Sequence, residues 1–292
     1  MDVRQNLKTT SNFINRIRNR LELVPVLLAL AISIMLIALI ILYPLALLIT
    51  LGLDSIPSAL STYSFLEAVE ATMIYSTLSS IIAIVMGTPL AYVMARYEFR
   101  AKGVVDALID IPIMIPHIIV GIMVVLAFVW YGIGPVLRAH GINFINTLWG
   151  ATTAVAFLSS TYYIRVVETA ISMVNPEMEI VARTLGAGPL RTFTTIVLPR
   201  IWRSMASGAL LTWARSASEA GALFIVAYYV YLHGNLVYPV PVYIYGSYVG
   251  IGLVNAVKYS AALVVLMLAV FIIYRLLISV GGTTYRLGGA GG

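Results

Sequence analysis

Arg215 and Glu219 stand four residues apart in Ser204–Val230, a 27-residue stretch with no other charged residue. If a helix enters a bilayer near Ser204 to Ser207, Arg215 lies about 12–16 Å deep and Glu219 close to the midplane. Insertion scales assign about 2.5–3.5 kcal/mol to such a residue at mid-helix. The i,i+4 spacing puts the two on one face, where they can neutralise each other. Two uses stay open: an ion pair buried against other helices, or a gate beside a polar translocation path. The second would draw on Thr212, Ser216 and Ser218 of the same segment, and on Pro116 and His117 of another. His117 is a lone imidazole, expected to be packed and hydrogen-bonded and to serve neither catalysis nor metal binding. The absence of Cys excludes disulfides and thiolate metal sites.

A second constellation has binding chemistry. Asn175–Arg203 reads NPEMEIVARTLGAGPLRTFTTIVLPRIWR, a polar and basic insert punctuated by Pro and Gly. Asn175 caps a helix, Pro176 suits its first position, and Glu177 and Glu179 complement the helix dipole. Gly186 stops that helix. Pro189 begins a second short one, expected to end at Pro199, with Leu190, Phe193 and Val197 on an apolar face. Helices this short are marginal alone in water. The pair is therefore a knob that docks against its own membrane helices or a partner.

The elements that carry these residues are predominantly hydrocarbon. Hydrophobic residues make up 61% of the 292, charged residues 10%, and mean hydropathy is +0.97, whereas a soluble domain has roughly 25% charged residues. Charge is absent from Val26–Leu51, Ala71–Ala95, Ile111–Leu137 and Gly141–Ile164, apart from His117. Each run exceeds the about 20 residues that a helix needs to cross a bilayer. Adding Ser204–Val230 and Tyr259–Ser279 predicts an all-α polytopic membrane protein with six transmembrane helices, near 26–50, 68–94, 111–131, 147–170, 205–230 and 258–279. Arg4, Lys8, Arg16, Arg18 and Arg20 precede the first, Arg96, Arg100 and Lys102 follow the second, and Arg183, Arg191, Arg200 and Arg203 follow the fourth. The opposite loops carry Arg138 and Lys258. The positive-inside rule then places both termini in the cytoplasm, in a multi-pass protein of the cell membrane. The net charge of +6 reflects this topology and implies no nucleic-acid partner.

Residues 1–24 form a cytoplasmic arm whose Phe13, Ile14, Ile17 and Leu21 predict an interfacial amphipathic helix. Residues 25–280 form the membrane domain, including the loop 175–203, and the Gly-rich 281–292 are expected to be disordered. Arg165 and Glu168, three apart, are expected to pair structurally. Tyr228–Tyr248, rich in Tyr and Pro, suits headgroup depth on the outer side.

The knob resembles the cytoplasmic signature of binding-protein-dependent ATP-binding-cassette (ABC) importer permeases: Glu-Ala-Ala, three residues, Gly, nine residues, Ile-x-Leu-Pro. Arg183-Thr184-Leu185-Gly186-Ala187 follows the pattern, and Ile196-Val197-Leu198-Pro199 closes it. The triplet departs from it: its register falls on Ile180-Val181-Ala182, with the acid displaced to Glu179. The resemblance runs from about Ala68 to Ile278. Gly87-Thr88-Pro89-Leu90-Ala91-Tyr92, Pro112 to His117 with Gly121, Trp213-Ala214-Arg215-Ser216 and Ser218-Glu219-Ala220-Gly221-Ala222 are similar to the molybdate, tungstate and sulfate branch. Ala227-Tyr228-Tyr229 and Pro241-Val242-Tyr243-Ile244-Tyr245 look most like its archaeal molybdate/tungstate permeases.

This resemblance implies the type I, MetI-like permease fold and a homodimer forming one path for a tetrahedral oxyanion. It implies two ABC ATPase subunits inside, which carry ATP and Mg, and a solute-binding protein outside. The permease itself would be non-catalytic and hold no cofactor. The ATPase-coupling loop would comprise Glu179, Ala182, Arg183, Leu185, Gly186, Ala187, Leu190, Phe193, Ile196, Leu198 and Pro199. Sulfate or another small solute is the alternative cargo. An ion-coupled secondary carrier is the alternative class, and would show inverted repeats that this chain lacks.

Overall fold

The computed structural model describes residues 25–280, so the expectations for residues 1–24 and 281–292 lie outside the described residues. The chain forms two units, residues 1–54 and 55–292. In the first, α1 (25–52) is helical throughout, with a π-helical stretch at Ala38–Leu42. Its large apolar side chains, Val26 to Tyr43, are exposed, as expected of a helix solvated by lipid.

The second unit is a helical bundle. It runs through α2 (Ile56–Leu60), α3 (Tyr63–Arg96), α4 (Lys102–Met114), α5 (His117–Trp130) and α6 (Gly134–Ala139) to α7 (Leu148–Ser172). Then come α8 (Pro176–Thr184), α9 (189–217), α10 (Leu223–Val226), strands β1 (Val230–Leu232) and β2 (Asn235–Val237), α11 (Val240–Gly250) and α12 (Leu253–Val280). The antiparallel hairpin β1–β2 is the one sheet among the described residues, an addition to the expected all-α fold. Its turn, His233-Gly234, has φ of 50° and 82°, the positive values a two-residue hairpin requires.

At the centre, α3, α7 and α9 pack closely because small residues line their seams. A Cβ on Gly87 would meet Tyr163 and Ile164 at 3.0 Å, and one on Gly208 would meet Tyr163 at 3.3 Å. Hydroxyls tie the seam: Ser79, Ser159 and Ser216, one per helix, lie 2.8–3.1 Å apart in a buried triangle. Thr88 pairs with Tyr163 at 2.7 Å. Helix α3 passes through Pro89 unbroken, with the Thr88 hydroxyl donating to Ile84 O at 2.6 Å.

Three expected elements differ from their sequence outlines. The segment expected as one span at 111–131 is two helices, α4 and α5, bent by 110°. A proline drives the residue before it out of the α region. Ile115, before Pro116, is extended at φ −80°, ψ 131°, so α4 ends at Met114 and α5 restarts at His117. Pro199 was expected to end a short helix, yet 189–217 is continuous helix. A π turn at Phe193–Val197 shifts the bonding, with Leu198 N–H reaching Phe193 O, just ahead of the proline. The span expected at 205–230 stops at Ala217 and resumes as α10.

By length and apolarity, three stretches among the described residues could cross a membrane: Pro25–Leu60, Tyr63–Arg96 and Leu253–Leu276. Counting the bent pair makes four. Helix α7 has spanning length, at 25 residues, but its hydroxyl and small side chains face inward.

Close approach leaves no room for a side chain at several glycines, Gly150 and Gly121 among them. A Cβ on Gly150 would lie 1.7 Å from Phe144 O, and one on Gly121 would lie 2.7 Å from Ala222 O. Overpacking costs about 1–3 kcal/mol or more. Gly150→Ala should therefore abolish monodisperse folded protein in fluorescence-detected size exclusion, and Gly121→Ala should lower its yield. Gly246→Ala, with nothing within 4 Å, should match the parent. Equal yields for all three would contradict the packing described.

Candidate functional site: a docking knob and a buried ion cluster

The knob forms as its caps require. The Asn175 side chain accepts from Glu177 N–H at 2.9 Å, with Pro176 in the first turn of α8. At the other end Gly186 takes φ +88°. Ala187 N–H then reaches Ala182 O, and Gly186 N–H reaches Arg183 O, both at 3.0 Å. This is a Schellman ending, which needs a left-handed residue at the glycine position.

One side of the knob grips the bundle. Arg96, the last residue of α3, donates from Nε to Glu179 Oε1 at 2.6 Å and from Nη2 to Val174 O at 2.8 Å. Tyr92 OH donates to Glu179 Oε2 at 2.5 Å and accepts from Arg183 Nη2 at 3.1 Å. Phe193 stands edge-on to Tyr92, ring centroids 5.6 Å apart, and Val197 is fully buried. The other side is bare. Leu185 is 83% and Leu190 75% exposed, and Ile180 and Val181 are exposed beside them.

The eleven expected loop residues thus divide. Glu179 is buried and holds the loop from within, so its carboxylate is not presented outward. Leu185, Leu190, Arg183, Gly186 and Pro199 are exposed, while Ala182, Ala187, Phe193, Ile196 and Leu198 are half-buried. The expected face of Leu190, Phe193 and Val197 is split, because the π turn points Val197 into the core while Leu190 stays outside. Arg96 and Tyr92 escaped the sequence reading, since 83 residues separate Arg96 from Glu179. The available signal was a cation at the end of the charge-free run before it, on the same side as an unpaired acid.

The second site joins α5 to the break after α9. Glu219, 1% exposed, places Oε2 3.0 Å from Arg215 Nη2 and 3.0 Å from His117 Nδ1, aligned for a hydrogen bond with neither. Its Oε1 accepts from Ala222 N–H at 3.0 Å, so the carboxylate also caps α10. Arg215 Nη2 lies 2.9 Å from His117 Nε2. Gly221 permits the approach, since a Cβ there would meet His117 Cβ at 2.8 Å.

The other expected path residues are not gathered around this cluster. Ser216 belongs to the buried hydroxyl triangle, and the Thr212 hydroxyl donates to Ser159 O at 3.3 Å. Ser218 and Pro116 are exposed, and the Ser218 hydroxyl donates to Arg215 O. Arg165 meets Glu168 at 2.9 Å as expected, and also Asp106 at 2.6 Å and Asp110 at 2.7 Å on α4. No group of metal-ligating side chains occurs among the described residues.

At the far end of α3, His233 Nε2 lies 3.0 Å from Glu70 Oε1, and Asn235 donates to Glu67 at 2.7 Å, fastening the hairpin. The hydrogen bond to Glu70, then its charge, raises the His233 pKa above its ordinary 6.5. A raised histidine stabilises fully below its unfolded value, and that stability is lost as pH rises through the folded value. Amide-exchange protection of residues 230–237 should therefore fall as pH rises through that value, and Glu70→Gln should remove the dependence. Identical profiles for parent and variant would exclude the pair as the cause.

Apolar helices of spanning length, helix seams stitched by buried hydroxyls and a capped knob define the class: a membrane-embedded helical protein. Its fold matches a crystal structure of a bacterial ABC transporter involved in the import of the acidic polysaccharide alginate. That match covers 90% of this chain and 98% of the other, at 19% identity and a TM-score of 0.69. The inward-facing MetNI methionine ABC transporter aligns over 73% of this chain and 91% of that one, at 18% identity and a TM-score of 0.53. Residues 87–279 match the family described as binding-protein-dependent transport system inner membrane component, and the chain belongs to that family. It is a transport subunit of a membrane, with the MetI-like fold of ABC importer permeases.

Among curated relatives, the molybdate/tungstate transport system permease protein WtpB of Pyrococcus furiosus is 37% identical over 74% of this chain and 79% of its own length. The WtpB of Thermococcus kodakarensis is 40% identical over 56% of this chain, and the match spans 62% of its length. The Methanocaldococcus jannaschii protein of the same name is 32% identical over 72% of this chain and 81% of its own.

Proposed function

We propose that this chain is the permease subunit of an ATP-driven importer, and that two copies form the path for a tetrahedral oxyanion, molybdate or tungstate. The knob docks into a cytoplasmic ATPase, which binds ATP and Mg and does the hydrolysis. A solute-binding protein delivers the anion from outside. Both termini lie in the cytoplasm and six segments cross the bilayer, α4–α5 and α9–α10 as broken spans. Arg215, His117 and Glu219 stand beside the path as a gate held closed to free charge, because the guanidinium is already matched by a carboxylate.

The observation that carries this reading is the knob. It is anchored on one side by Arg96–Glu179 and bare on the other at Leu185 and Leu190. Large apolar side chains left exposed on an ordered, polar-capped element mark an interaction site. The names of the relatives supply the cargo.

The test is uptake into proteoliposomes that hold the permease and its ATPase, supplied with the binding protein and ATP. Tungstate and molybdate should accumulate only with ATP inside, and sulfate at a much lower rate. Uptake without nucleotide, driven by a proton or sodium gradient, would overturn the assignment.

A further inference from the structure

We propose that Arg96 and Glu179 are positioning residues for energy coupling: their ion pair carries movement of the docked knob directly into α3. The inference rests on the reading that an ATPase grips the knob.

The backbone offers a poor route for such a push. Residues 173–175 lead into α8 outside any helix, and Leu185 to Gly188 lead out of it. Both Gly186 and Gly188 have no neighbour within 4 Å of a would-be Cβ. The side chains offer a stiff route. Arg96 holds Glu179 with one nitrogen and Val174 O with another, so one guanidinium clamps both α8 and the link before it. Tyr92, one turn back on α3, binds the second carboxylate oxygen and braces Phe193 of α9. Both oxygens of Glu179 are thus engaged by α3, and the pair is withdrawn from water, with side-chain exposures of 10% and 5%. Charge-assisted bonds in such surroundings are short and directional.

The displaced acid fits this role. One position along a helix turns a side chain by about 100°. Ile180, where the family pattern has its acid, faces outward, and Glu179 faces α3. From α3 the movement passes through Ser79 to Ser159 of α7 and Ser216 of α9. Ser216 neighbours Arg215 at the ion cluster.

The experiment uses the whole importer in proteoliposomes, with tungstate as probe, and compares E179Q, R96Q, Y92F and the exchange R96E/E179R. ATPase co-purification and ATP hydrolysis should stay within about twofold of the parent, while uptake per ATP falls about tenfold in E179Q and R96Q. Y92F, which keeps the ring against Phe193, should fall about threefold, and the exchange should recover several-fold over the singles. Misfolding would lower association and uptake together, and exchange would not rescue it. Parental uptake per ATP in E179Q and Y92F, or an assembled exchange variant no better than the singles, overturns the proposal. If the parent permease retains no ATPase, the docking reading itself fails and this inference falls with it.

Discussion

Arg215→Met should lower the yield of folded protein more than Glu219→Gln, and the double variant should recover most of the loss. The asymmetry follows from burial. Glu219 is 1% exposed and Arg215 22%, measured on their side chains. Losing the guanidinium strands a buried carboxylate beside only the His117 ring, and breaking a buried pair from one side costs about 3–5 kcal/mol. Glu219→Gln leaves a cation that still reaches the surface, and the amide oxygen still caps Ala222 N–H. The double variant strands no charge. A double-mutant cycle in fluorescence-detected size exclusion and thermal unfolding should give a coupling of about 2–3 kcal/mol. Strictly additive losses would show that the two do not stabilise each other.

Leu185→Glu and Leu190→Glu should each reduce ATPase co-purification about tenfold or more while leaving the permease itself at parental yield, since truncating or charging a buried anchor at an interface typically removes 2 kcal/mol or more. The selectivity is the informative part. Both side chains are exposed in the free chain and support none of its core, so a carboxylate there is solvated until a partner covers it. Val197→Glu provides the contrast: that side chain is fully buried, and its charge should destroy the permease before any question of docking arises. ATPase recovered equally with L185E, L190E and the parent would remove the apolar tip as the grip.

The helical, membrane-embedded nature of the chain is legible in its charge-free runs, because lipid demands length and apolarity together. The knob is legible too, since Asn175, Pro176 and Gly186 act on their immediate neighbours. The Arg215–Glu219 contact survives even though its premise, one unbroken helix, does not. Ser218 to Ala222 leave the helix, and the carboxylate folds back to cap the next one. What stays hidden is set by tertiary contact. The Arg96–Glu179 bond joins residues 83 apart in the chain, which no local pattern announces. The hydroxyls of Thr212 and Ser216 look the same in sequence whether they line a path or stitch helices. Their burial between α3, α7 and α9 shows the stitching.

The hydroxyl triangle and the Arg215–Glu219 pair also have an electrical consequence. Moving one elementary charge through the membrane field costs about 2.3 kcal/mol per 100 mV. Three serines carry no charge, and a cation displaced together with its matching anion carries none in sum. A rearrangement of this interior therefore transfers no gating charge. ATP turnover without anion should run at the same rate in polarised and depolarised vesicles, and voltage should act only on the step that moves the anion.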